Sequence, residues 1–205
     1  CTDKMKNELK DLKAFELRQN KNFSEIWKNA TALWKKRGSP VSPLSSEDQA
    51  IALMAYTMDT NRVYEDFNDA VREAGSSPQQ YRDKFHYKAW HFLLTQAVAK
   101  LNETQGQQCY DVFRGVKRKR FQAQRGRIVR FGQFASTSFS KEVAHDFGND
   151  TMFRVHTCHG ADIHKFSNKS EQQEVLIPPF ETFKVISVTW EGNIPWIELR
   201  STGNS

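Results

Sequence analysis

An α+β fold is predicted for this chain, with helices first and strands second. Three observations carry it. Apolar residues recur at helical spacing through the first hundred positions, and from Gly106 onward the segments become short, β-branched and aromatic. The 205 residues are 38% hydrophobic and 26% charged with 10 Gly and 6 Pro, ordinary values that exclude disorder, collagen and low complexity. At this length one domain can bury roughly 70% of its extended surface without metals or disulfides. The expected division is a helical lobe over residues 1–105 followed by a strand-rich core over 106–205.

Residues 23–36 place Phe23, Ile26, Trp27, Ala30 and Leu33 on one helical face. Ser46 with Gln49 forms a capping box before the apolar run 50–56. A helix around 63–74 is followed by the turn cluster Gly75, Ser76, Ser77 and Pro78, and residues 85–101 form a long core helix with Phe85, Ala89, Phe92, Leu93 and Leu101 near one face. Strands are predicted at 110–113, 128–131, 152–158, 175–177, 183–190 and 196–199. In the third of these Met152, Arg154 and His156 alternate with Phe153, Val155 and Thr157. Residues 141–147, after Ser140 as N-cap, are the single helix expected in this half. No run of 18 apolar residues occurs, so no membrane span is predicted.

Charge is uneven. The net charge is +6, and no acidic residue lies between Val112 and Lys141, a stretch that holds Arg114, Lys117, Arg118, Lys119, Arg120, Arg125, Arg127 and Arg130. An anion is expected nearby: a nucleotide pyrophosphate, a nucleic acid or a sulfated glycan, the alternative being a solvated basic hairpin.

Two features point outside the cell. Five of the eleven Asn stand in acceptor sequons, at Asn22, Asn29, Asn102, Asn149 and Asn168, where chance gives about one in eight. The three cysteines, Cys1, Cys109 and Cys158, lack CxxC or zinc spacing. An oxidising compartment allows one disulfide, read here as Cys109 with Cys158 because both abut strand-like segments; three free thiols are the alternative. The opening at Cys1, with no Met and no apolar signal, suggests a mature fragment.

Neither GxGxxG nor GxxxxGK[ST] occurs, which excludes the Rossmann and P-loop modes of phosphate binding. His156, Cys158 and His159 resemble a metal cluster, yet strand alternation sends His159 to the opposite face, and no metal is expected. What remains is a set of polar residues at the edges of apolar segments: Arg114 after YDVF, Ser136 after RFGQFA and Glu174 before VLIPP. A rigid sheet can present such groups to a cleft.

FRG at 113–115, RFGQFASTS at 130–138 and QQEVLIPPFE at 172–181 together resemble the R-S-E signature of the vertebrate ecto-ADP-ribosyltransferases, the cholera-toxin-like ARTC class. The likeness extends through Tyr56, FHYKAWHFLLT at 85–95, Cys109 and the Cys158 segment. It implies a single catalytic domain over 1–205, a helical lobe followed by a split, strand-rich NAD-binding core. By matching position, Arg114 would hold the nicotinamide ribose and phosphate side of NAD and Ser136 the same ribose. Glu174 would be the catalytic carboxylate, the Gly115 backbone would hold the carboxamide, and Phe147 would pack on the nicotinamide ring. The resemblance also implies the Cys109–Cys158 disulfide, a partner for Cys1 beyond Ser205, and a secreted or GPI-anchored cell-surface protein. NAD as co-substrate is then the expected anion, with no nucleic acid and a monomeric protein.

One departure matters. Arginine-specific members carry Glu two residues before the catalytic Glu, where this chain has Gln172. In an extended segment residues i and i+2 share a side, so Gln172 is expected to face the acceptor. Its neutral amide cannot make the charge-assisted bidentate pair that a carboxylate makes with guanidinium. Weak arginine transfer follows, with water or another side chain as acceptor. Glu171 sits one position too early unless the loop is kinked. The competing reading is a catalytically silent surface module on the same fold.

Overall fold

The computed structural model describes residues 2–58, 67–71, 87–117, 121 and 123–203. The predicted turn at 75–78, Phe85 and the cations Arg118, Lys119 and Arg120 lie outside them, as does Cys1. The chain divides into two compact units, Cys1–Lys100 with Lys165–Lys169, and Leu101–His164 with Ser170–Ser205. The mixed α+β expectation is met, helices preceding strands.

In the first unit the helices are α1 (Thr2–Gln19), α2 (Lys21–Lys36), α3 (Glu47–Thr57) and the part of α4 (Lys88–Thr104) up to Lys100, and residues 67–71 are also helical. The capping box forms as predicted, Gln49 N–H donating to Ser46 Oγ at 3.3 Å, while Gln49 Oε1 reaches back to Ser45 N–H instead of Ser46. Residues 49–56 are all buried, which is why α3 shows no polar stripe. The core is aromatic: Phe67 stacks on Trp90 at 4.2 Å and Phe23 meets Trp27 edge-on at 5.6 Å, while the Trp90 indole donates to Ala52 O. Buried Glu16 of α1 accepts from the main-chain amides of Lys88 and Ala89 at 2.9 and 2.6 Å, satisfying two donors that the first turn of α4 leaves without intrahelical partners. Residues 165–169 join this unit through Arg37, which donates to Ser167 O, and through Asn168 N–H, which donates to Thr57 Oγ1.

The second unit is built on one eight-stranded sheet: β1 (Tyr110–Val116), β2 (Ile128–Val129), β3 (Ala135–Ser138), β4 (Thr151–Thr157), β5 (Ala161–Asp162), β6 (Glu174–Ile177), β7 (Phe183–Glu191) and β8 (Ile194–Ser201). Its order is β2-β7-β8-β4-β1-β3-β6-β5. Among the described residues only β4 and β8 run parallel. Val112, Phe153, Val155, Val185, Ile197 and Leu199 form its apolar core. The helix α5 (Lys141–Phe147) has the predicted Ser140 N-cap.

Cys109 and Cys158 are bonded, closing a loop that by chain entropy stabilises the fold by about 4 kcal/mol. A ring nitrogen of His156 lies with both sulfurs in one cluster, but the thiolates a metal would need are spent in that bond. Fully buried Glu181 holds the following turn, accepting from the Thr157 hydroxyl and from the Cys158 and His159 amides at 2.8 and 3.0 Å. Asn102, one of the five sequon residues, is half-buried and its Nδ2 donates to Cys158 O at 3.1 Å and Gly160 O at 2.9 Å. A glycan there would remove one of those hydrogens. Asn22, Asn29, Asn149 and Asn168 are exposed.

Two expected outcomes follow. Glu181→Ala strands three donors, and chemical denaturation should show a loss of about 3 kcal/mol or more. Burial lowers the His91 imidazole from 6.5 to about 4. Above pH 6.5 both folded and unfolded forms are neutral; below it the unfolded chain takes up the proton first. Stability therefore falls as pH drops from 7 to 4, by up to about 3 kcal/mol at about 1.4 kcal/mol per pH unit. Denaturation curves of wild type and His91→Gln should diverge in that window alone.

Candidate functional site

β1 and β3 share one bridge, Phe113 with Ser138, and their ladder goes no further. Continued, it would pair Arg114 with Thr137 and Gly115 with Ser136. Instead the Arg114 guanidinium spans the opening, its Nη1 donating to Ser136 O at 3.1 Å. Arg114 is 8% exposed and sits 5.2 Å from the Phe131 ring centre. Of the described cations between Val112 and Lys141 it is the one that is buried; Lys117, Arg125, Arg127, Arg130 and Lys141 are exposed. A buried guanidinium is costly unless its donors are used. Arg114 Nε is buried without a hydrogen-bond partner, so the site retains a donor suited to an anionic oxygen. That orphaned N–H is the feature that fits the phosphate or ribose side of NAD.

Ser136 lies in β3 and Glu174 opens β6, where it is 4% exposed and pairs through its Cα with Ser138. Ser138 Oγ donates to Gln172 O at 2.6 Å and accepts from Ser140 N–H at 3.0 Å. Thr137 Oγ1 donates to Val175 O at 2.7 Å. The STS triplet therefore contributes a strand position at Ser136 and two hydroxyl ties that hold the chain on either side of Glu174, at Gln172 and at Val175. The resemblance pointed to Ser136; the tie made by Ser138 has no signal in the sequence, and neither does Glu181, which stands in the quoted QQEVLIPPFE as an ordinary acid.

Gln172 corrects one expectation. It ends a 3-10 turn, Ser170–Gln172, and Gln173 adopts a left-handed φ of 49°. The segment is not extended, so the same-side rule for i and i+2 does not apply. Gln172 is half-buried and Glu171, in the same turn, is exposed.

Gly115 is held by close approach to α5. A Cβ there would lie 2.1 Å from the carbonyl oxygens of Ala144 and Gly148. Gly148 answers from the other side, where a Cβ would meet Val116 C at 2.4 Å and Lys117 N at 2.5 Å. These two glycines let the backbone of β1 touch that of α5, the helix that ends in half-buried Phe147. Arg114, Gly115, Ser136, Phe147, Gln172 and Glu174 thus all belong to the second unit.

The NAD:arginine ADP-ribosyltransferase family profile matches residues 1–205. The chain belongs to that family. It is 46% identical to the erythroblast NAD(P)(+)–arginine ADP-ribosyltransferase of Gallus gallus, over 100% of this chain and 68% of that protein. It is 42% identical to the GPI-linked NAD(P)(+)–arginine ADP-ribosyltransferase 1 of Mus musculus, over 92% of this chain and 61% of that one. The chain therefore spans about two thirds of these relatives. The crystal structure of the eucaryotic mono-ADP-ribosyltransferase ART2.2 superposes with a TM-score of 0.80 at 36% identity, covering 97% of this chain and 86% of that one. A glutamate-to-alanine mutant of ART2.2, solved in complex with NADH, superposes equally well.

Gly115→Ala should force the α5 backbone off β1, since both contacting atoms are main chain. The expected loss of stability is about 2 kcal/mol or more, read as a lowered denaturation midpoint.

Proposed function

We propose that this family member cleaves the nicotinamide–ribose bond of NAD and passes ADP-ribose to a protein side chain or to water, with arginine a poor acceptor. The observation that carries the reading is the buried Arg114 guanidinium joined to β3 beside Glu174, with one donor unspent. Likeness to ART2.2 and to the chicken and mouse arginine transferases supports it.

Breaking this glycosidic bond expels neutral nicotinamide from a cationic nitrogen and builds positive charge on the ribose, as in other glycosyl transfers. Glu174 supplies one fixed carboxylate to accept the ribose 2′-hydroxyl and face that charge, a preorganised contact of the kind that usually dominates catalysis. Arg114 holds the phosphate and ribose side, Ser136 the ribose, the Gly115 backbone the carboxamide and Phe147 the nicotinamide ring. By its position in the family's motif, two residues before Glu174, Gln172 would border the acceptor with an amide, so a guanidinium is neither clamped nor deprotonated there. The sequons at exposed Asn22, Asn29, Asn149 and Asn168, the disulfide and the GPI-linked mouse relative support an extracellular location, secreted or anchored. A monomer is the expected state.

The test is nicotinamide release from NAD with and without the arginine analogue agmatine. Glu174→Gln should lower release by about 10² to 10³. Gln172→Glu should add agmatine labelling that wild type shows weakly, with Glu171→Gln as control. Full activity in Glu174→Gln would overturn the mechanism, and wild type without release would leave a silent surface module.

A further inference from the structure

Beside α5, strands β4, β7 and β8 enclose a hollow of about 290 Å³ that includes none of the residues assigned above to NAD or acceptor. Arg154, Glu198 and Ser187 cross it as one row of strand partners, and Trp196 with Thr189 forms the next. Arg154 pairs with Phe113, one residue from Arg114, so the hollow lies on the sheet face opposite the Arg114 side chain.

Its charges are arranged in an unusual way. Lys141 Nζ stands 4.9 Å and the Arg154 guanidinium carbon 5.9 Å from the centre of the same Trp196 ring. Arg154 is exposed, and among the described residues it makes ring contacts only, to Trp196 and Phe113, with no hydrogen bond or ion pair. Lys141 reaches Glu191 at 3.9 Å, and Glu198 accepts from the Ser187 hydroxyl at 3.2 Å. A planar guanidinium with its donors unspent, beside a second cation, is a receptor for one carboxylate. The flanking carboxylates of Glu191 and Glu198 repel a polyanion but accept hydrogen bonds from hydroxyl groups. Trp196, and Trp190, which is 62% exposed and also lines the hollow, offer flat apolar surface to the C–H face of a ring. The volume lies at the small end of ligand sites.

We propose that this hollow binds a carboxylate-bearing pyranose, the acidic sugar unit of a glycan: the carboxylate on Arg154 and Lys141, ring hydroxyls on Glu198, Ser187 and Thr189, and the ring face on tryptophan. An acidic peptide matches less well: its amide N–H groups can donate to Glu191 or Glu198, but it brings no saturated ring face for Trp196 and Trp190.

NMR titration of the Trp196 indole N–H and Arg154 Nε–H tests this. Methyl glucuronide and the methyl glycoside of N-acetylneuraminic acid serve as the acidic sugars, methyl glucoside as the neutral one and an aspartate-containing peptide as the competitor class. Either acidic glycoside should shift both signals saturably at millimolar concentration, with the neutral one at least about tenfold weaker. Arg154→Gln should bring the acidic sugar down to the neutral level. Ser187→Ala should weaken both kinds of glycoside. Nicotinamide release should be unchanged in both variants, which separates this site from the NAD chemistry. No saturable shift, equal binding of the neutral glycoside, an Arg154→Gln variant that binds as wild type, or tighter binding of the peptide would each overturn the proposal.

Discussion

A single buried charge organises the strand-rich unit. Arg114 stands in the middle of the sheet, where a guanidinium is tolerated only if its donors are used. The fold meets this by ending the β1–β3 ladder after one bridge, so that a main-chain acceptor, Ser136 O, is available to the side chain instead of to a strand partner. On its other edge β3 stays paired along its whole length with β6, where Glu174 begins. Strand separation, a buried cation and a buried carboxylate are thus one arrangement, and a ligand with both anionic oxygens and a developing positive charge is its complement.

The surroundings keep that opening in shape. Gly115 and Gly148 bring α5 against β1 on one side. The Thr137 and Ser138 hydroxyls tie β3 to the residues flanking Glu174 on the other. Farther along, Glu181 and Asn102 hold the turn after β4 through five hydrogen bonds to residues 157–160, and the Cys109–Cys158 bond fastens that turn to the residue preceding β1. Thr137, Ser138 and Glu181 among these supports are fully buried polar side chains, where a lost partner is not readily replaced by water.

Much of this was legible in the residues and some was not. Alternation in β4 and the Ser140 cap of α5 are local signals, and both elements appear where their patterns place them. β3 and β5 are short, and Ala-Ser-Thr-Ser carries no apolar period, so only the sheet around them makes them strands. Ser136 and Glu174 stood out through likeness to a family, because a polar residue at a strand edge is otherwise unremarkable. Gln172 departs from the extended expectation because nothing in Gln-Gln-Glu marks Gln173 for a left-handed conformation, which Gly or Asn would signal. The sequon at Asn102 shows nothing of the two carbonyls that its amide meets in the fold.

The claim that Arg114 is the anchor for NAD is tested most directly by calorimetric titration of NAD into wild type and Arg114→Lys, each at the same salt and with matching melting temperatures. Lysine keeps the charge but loses the fork of donors that serves Ser136 O and the ligand together. The account predicts binding weaker by about tenfold or more in the variant. Equal affinity would contradict it.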